Sequence, residues 1–300
     1  MIRRRALQAL FLMGFFLSVS PLAYHQIAER KQRDQIWEYQ TAAERSREET
    51  AARLDAAREY NRQLMQTEAE GINPRTGEKS RVDSYQEQLD LTGNGMMGSL
   101  EIPKIDAELP IWHGTGEEAL AQGVGHLQGT SLPVGGESTH CVLAGHRGLP
   151  GAKLLTRLDE LEEGDCFFLR VCGQSLAYKV CAVTVVRPED ASLLAVQEGC
   201  DLVSIVTCTP YGLNTHRLIV TGERTGYEEA GSRAVQKAVP SGRELVLCIT
   251  PFFLSALAAG LWAAQQWRKG KRQRRGRDRE VPSGQQRKEK GEKYTRDEQI

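Results

Sequence analysis

Three hundred residues, 40% of them hydrophobic, suffice for one sizeable core with accessory segments. The formal net charge of zero hides an asymmetry: Arg3, Arg4 and Arg5 open the chain, and 268–279 (RKGKRQRRGRDR) is almost wholly basic, so the middle is acidic. Basic ends around an acidic centre argue for membrane topology over a nucleic-acid surface, and no nucleic-acid partner is expected.

Residues 1–24 are read as an N-terminal transmembrane segment or signal anchor, because 6–24 carry no charge around a dense apolar centre. No clear small-x-small cleavage site follows it. Residues 25–95 form a helical region with a loop. The stretch 25–66 lacks Gly and Pro and is rich in Ala, Glu, Arg and Gln. Its apolar positions (Ile27, Ile36, Trp37, Tyr39, Leu54, Tyr60, Leu64) are too sparse for a heptad seam. One or two solvated helices, resting on the next domain or acting as a stalk, are expected. Asn73-Pro74, Thr76-Gly77 and Gly93-Asn94-Gly95 mark 70–98 as loop.

From Met97 the period becomes that of strands. Short β runs at 98–105, 108–113, 124–129, 139–144, 165–172 and 176–187 are followed by 203–207 and 218–220, separated by Gly- and Pro-bearing turns. Helical interruptions are expected only near 117–121, 153–161 and 191–197. Short, regularly spaced strands predict a closed barrel or sandwich over 96–226. Beyond a linker at 227–244, residues 245–267 run uncharged for long enough to cross ~30 Å of hydrocarbon as a helix. The basic tail 268–300 then lies in the cytoplasm by the positive-inside rule, as does Met1, which places the middle of the chain outside the cell membrane.

The last two strands carry the chemistry. If 203–207 and 218–220 pair antiparallel, Cys208 at the end of the first and Arg217 at the start of the second share one sheet edge. A fixed cation favours thiolate, the nucleophilic form of a cysteine. The competing interpretation is a half-buried structural cysteine beside an arginine paired with some carboxylate. Of six histidines, His25 follows the first apolar segment, and His113, His126 and His140 lie in or beside strands as structural residues. His216 alternates away from Arg217. His146 ends the run HCVLAGH, at the mouth of a strand, and can reach a cysteine at another strand end. Neither Cys-x-x-Cys nor a zinc-like Cys/His spacing occurs, so no cofactor or metal is expected.

The segment Thr207-Cys208-Thr209-Pro210-Tyr211-Gly212-Leu213-Asn214-Thr215-His216-Arg217-Leu218 resembles the active-site hairpin of sortases. Leu143-Ala144-Gly145-His146-Arg147 resembles their catalytic-histidine strand, and 101–105 and 109–114 their first two strands. The helical region before the strands and an apolar segment at each end resemble the class C, pilin-polymerising branch. The resemblance implies a mainly β fold: an eight-stranded sortase-like β-barrel with short helices, preceded by N-terminal helices and flanked by transmembrane helices. It implies a cysteine transpeptidase with His146, Cys208 and Arg217 as catalytic residues. The implied partners are exported proteins or pilins bearing an LPxTG-like sorting signal, together with an amine acceptor, either a pilin lysine or a cell-wall precursor. There are departures. The Thr-Leu-x-Thr-Cys signature appears as 204–208, SIVTC. The class C lid motif, Asp-Pro followed by an aromatic residue, has its nearest match in Asn73-Pro74-Arg75, which lacks both the acid and the ring. A secreted cysteine peptidase, or a non-catalytic membrane-anchored scaffold with a structural Cys208, are the rival readings.

Overall fold

The computed structural model describes residues 2–69, 85–148, 154–228, 230 and 242–277. The chain divides into two compact units, Ser20–Ser241 and Met1–Val19 with Gly242–Ile300. The α-helices with described bounds are α1 (Ile2–Arg45), α2 (Arg47–Ala69), α3 (Glu117–Gln122) and α4 (Gly242–Arg277). Eight strands follow the expected order: β1 (Met96–Ile102), β2 (Ala107–His113), β3 (Val124–His126), β4 (Thr139–Ala144), β5 (Cys166–Val171), β6 (Gln174–Val186), β7 (Asp201–Thr209) and β8 (His216–Thr225). They close into a barrel in the order β1-β2-β3-β4-β7-β8-β6-β5. All neighbours are antiparallel except β2 with β3 and β4 with β7.

Strand alternation sends one set of side chains inward. Leu100, Ile111, Leu143, Phe167, Leu169, Val203, Ile205, Leu218 and Val220 belong to one buried cluster. Two expectations are corrected in detail. The helix expected near 153–161 is a short 3-10 turn at Leu158–Glu160, and that near 191–197 is another at Ser192–Leu194. Both are too short to repeat a 3.6-residue face.

The N-terminal helices rest on the barrel. Ile36, Tyr39, Leu54, Ala57, Tyr60 and Leu64 are buried within the barrel's own core cluster, whereas Ile27 and Trp37 stay exposed. Polar side chains fix the docking. Tyr39 Oη donates toward the Met97 carbonyl at 2.7 Å. Asn61 receives the Leu132 N–H at 2.7 Å and donates to the Leu132 carbonyl at 3.2 Å. Tyr85 Oη accepts the Gly114 N–H at 2.9 Å and meets His126 Nδ1 at 3.0 Å.

The transmembrane helices expected at 1–24 and 245–267 are the point of difference. Both stretches are helical, within α1 and α4, but among the described residues no helix is long and apolar enough to cross a membrane. Each helix runs on past its apolar stretch, α1 to Arg45 and α4 into the basic 268–277. Asn73, Pro74 and Arg75 lie outside the described residues.

Candidate active site

Register builds the site. Cys208 pairs directly with Arg217 across β7 and β8, so thiol and guanidinium share one face of the sheet at one end of the strands. On the other side of β7, the parallel pairing with β4 runs to Ala144 and Val206. It continues through the Gly145 N–H, which donates to the Val206 carbonyl at 3.0 Å. Two residues past that last pair lie His146 and Cys208, so the ends of adjacent strands carry both toward the same rim of the barrel. Gly145 is required there: a Cβ at this position would lie 2.6 Å from Leu155 Cδ1. Gly148, at φ +82°, closes the stretch beneath the Tyr211 ring, which stands 2.9 Å from where a Cβ would be.

That shared face is the outer one. Thr207 and Leu218, one step back from Cys208 and Arg217, point into the barrel, and Leu218 joins the main core. Below the reactive row the outer face is apolar. Val206, Ile219 and Val186 lie there, and Leu194, from the β6–β7 connection, packs onto Val142 and Ile219. A buried polar row holds that connection in place. His140 Nδ1 donates to the Ala195 carbonyl at 2.8 Å, which leaves Nε2 to accept from Ser204 Oγ at 2.8 Å. Ser204 in turn meets Thr221 Oγ1 at 2.8 Å.

The arginine does not behave as a structural ion-pair partner. Arg217 Nη1 donates to the carbonyls of Asn214 (3.3 Å) and His216 (3.2 Å), and among the described residues it forms no ion pair with a carboxylate. Cys208 is half-buried at the rim. Burial pushes the Cys141 thiol well above its ordinary range, and Cys172 and Cys181 are also raised by burial. None of Cys141, Cys166, Cys172, Cys181, Cys200 and Cys208 is in a disulfide. No group of His, Cys, Asp and Glu side chains that could hold a metal occurs among the described residues.

The other histidines sit apart from this row or serve the scaffold. His126 is fully buried between Tyr85 and the Ser131 carbonyl, His113 Nδ1 lies 2.9 Å from the Gly95 carbonyl, and His216 Nδ1 meets Thr215 Oγ1. Sequence reasoning missed Arg147 and Thr209, which neighbour the histidine and the cysteine. Alternation places both one residue past each reactive group, but nothing local marks Arg147 as buried.

A closed eight-stranded barrel with thiol, imidazole and guanidinium on one rim defines the class as a β-barrel enzyme of cysteine acyl chemistry. A sortase-domain model matches residues 100–225. Sortase D of Bacillus subtilis (strain 168) is 33% identical over 160 residues, covering 52% of this chain and 76% of that protein. Among solved structures, the lid mutant of Streptococcus agalactiae sortase C1 shares 43% identity at TM-score 0.55, over 60% of this chain and 90% of that one. Streptococcus pneumoniae sortase C shares 38% at TM-score 0.56, over 65% and 97%. The chain belongs to the sortase family, the cysteine transpeptidases, and these structural neighbours are class C members.

Proposed function

We propose that this protein is a class C-like sortase that joins exported proteins carrying an LPxTG-like sorting signal to an amine, with a pilin lysine as acceptor. The observation that carries this reading is the outer-face row His146, Cys208, Arg217, set above an apolar strip suited to the leucine and proline of such a signal.

Cys208 Sγ, as thiolate, attacks the Thr–Gly carbonyl carbon, and the carbonyl π pair moves onto oxygen. Arg217, with no competing carboxylate among the described residues, stabilises that oxyanion. Collapse of the tetrahedral species breaks the C–N bond while His146 gives its proton to the departing glycine amine. A thioester on Cys208 remains. The acceptor amine attacks it, His146 removes the proton, and Cys208 leaves as thiolate, so the products are an amide and the starting enzyme. With a lysine ε-amine as acceptor, the amide is an isopeptide link between subunits.

Location at the outer face of the cell membrane, with both termini cytoplasmic, is part of the same proposal. It rests on the uncharged stretches 6–24 and 245–267 with their basic flanks, and on α4, where Phe252, Phe253, Leu257, Leu261 and Trp262 are exposed. The test is intact-mass analysis of the purified chain incubated with a Leu-Pro-x-Thr-Gly peptide. The wild type is expected to gain the mass of the acyl fragment and lose it when an amine is added. An adduct retained on Cys208→Ala would refute the assignment.

A further inference from the structure

The reactive row faces outward, yet the last backbone contacts between β4 and β7 end short of it. Past the Ala144/Val206 pair only the Gly145 N–H remains. What continues the pairing is on the inner side of the sheet, in side chains. Thr207 Oγ1 donates to the Gly145 carbonyl at 2.7 Å. One row further, Arg147 Nη1 donates to Thr209 Oγ1 at 2.6 Å. These inward residues alternate with His146 and Cys208, so the two cross-links bracket the imidazole and the sulfur from behind.

Arg147 is built for more than surface charge. Its side chain is only 9% exposed, and its second nitrogen, Nη2, is paired with the Asp159 carboxylate at 2.5 Å. The Asp159 side chain is itself half-exposed, but it lies in the 3-10 turn Leu158–Glu160, whose Leu158 is fully buried and holds the turn to the core. The planar guanidinium thus spans two rigid elements, with one edge on the strand end that carries Cys208 and the other on the turn. The Tyr211 ring over Gly148 adds a contact between the stretch after His146 and the stretch after Cys208.

We propose that Arg147 is a positioning residue, and that its bond to Thr209 sets the separation of His146 from Cys208. The proposal rests on those two residues being the reacting pair. It touches neither the substrate nor the sulfur: the arginine acts through the backbone of the residues it flanks. Proton transfer between imidazole and leaving amine depends on placement to a fraction of an ångström, and a displacement of about 1 Å lowers the rate about 100-fold.

The experiment measures kcat and KM for acyl transfer from a Leu-Pro-x-Thr-Gly peptide to hydroxylamine, using the full chain and the variants Arg147→Gln, Thr209→Val, Thr209→Ser and Arg147→Gln/Thr209→Val, with melting temperatures alongside. Thr209→Val keeps the side-chain shape and removes only the acceptor, which guards against a variant that fails to fold. The expected result is a loss in kcat of about 10- to 100-fold for Arg147→Gln and Thr209→Val, with KM within about twofold. Thr209→Ser should stay within about threefold of wild type, and the double variant should be no slower than the slower single one. Undiminished kcat in both single variants, a change confined to KM, or additive losses in the double variant would overturn the positioning role while leaving the sortase reading intact. Turnover by Cys208→Ala equal to wild type would instead remove the reaction itself, and the proposal with it.

Discussion

Acid should destabilise the barrel through a single imidazole. His126 is fully buried and is held down from its ordinary value of 6.5 to about 4: burial lowers it most, the bond to the Ser131 carbonyl opposes this, and the nearby His113 adds to the lowering. The geometry explains the resistance to protonation. Nε2–H donates to the Ser131 carbonyl at 2.9 Å, so Nδ1 must accept, and it does so from Tyr85 Oη at 3.0 Å. A proton on Nδ1 would turn Tyr85 Oη from donor to acceptor and leave the hydroxyl proton only the longer 3.3 Å contact to the His126 carbonyl. Between the two values the unfolded chain binds a proton that the folded one refuses, so stability is complete above about pH 6.5 and falls as the pH drops toward 4. At about 1.4 kcal/mol per pH unit the total is about 3 kcal/mol. Urea unfolding from about pH 7 to about pH 4, for wild type and His126→Gln, should give wild-type stability the steeper fall with acid, by about one proton, whatever the variant's stability at neutral pH. Parallel profiles would refute the reasoning.

Two further outcomes follow from named contacts. Asn61→Ala strands both the N–H and the carbonyl of Leu132 beneath α2 and should lower unfolding free energy by about 2–4 kcal/mol in urea titrations; a loss below about 0.5 kcal/mol would mean that α2 docking does not depend on it. Arg217→Lys keeps the charge but loses the planar fork that the Asn214 and His216 carbonyls hold in place, and kcat/KM for peptide transfer should fall about 100-fold with the melting temperature unchanged. Wild-type rates in that variant would remove Arg217 from the oxyanion role.

Much of the barrel was legible because alternation is a local signal: β4 matches its expected bounds, and the 203–207 and 218–220 runs proved to be the centres of longer strands. Cys208 and Arg217 could be placed together because a hairpin register is set by the residues between its arms. The β4–β7 pairing was not legible in periodicity, since it joins strands distant in the chain and leaves no short-range trace; the family resemblance implied only that His146 and Cys208 act together. The face of the N-terminal helices was hidden for another reason. Ala57 and Asn61 are buried on the docked face alongside Leu54 and Leu64, and neither is conspicuous by hydrophobicity. Arg147 escaped notice as one of many arginines, because its burial comes from a turn 12 residues away whose position no local pattern reveals.

The parallel neighbours β4 and β7 also govern when reactivity can begin. A chain made from its N-terminus presents the imidazole first and the sulfur only after two intervening strands, β5 and β6, have emerged. Until β7 slots in between β4 and β8, Cys208 has neither Arg217 paired across from it nor the end of β4 on its other side. Assembly of the proposed site therefore waits on the completed fold.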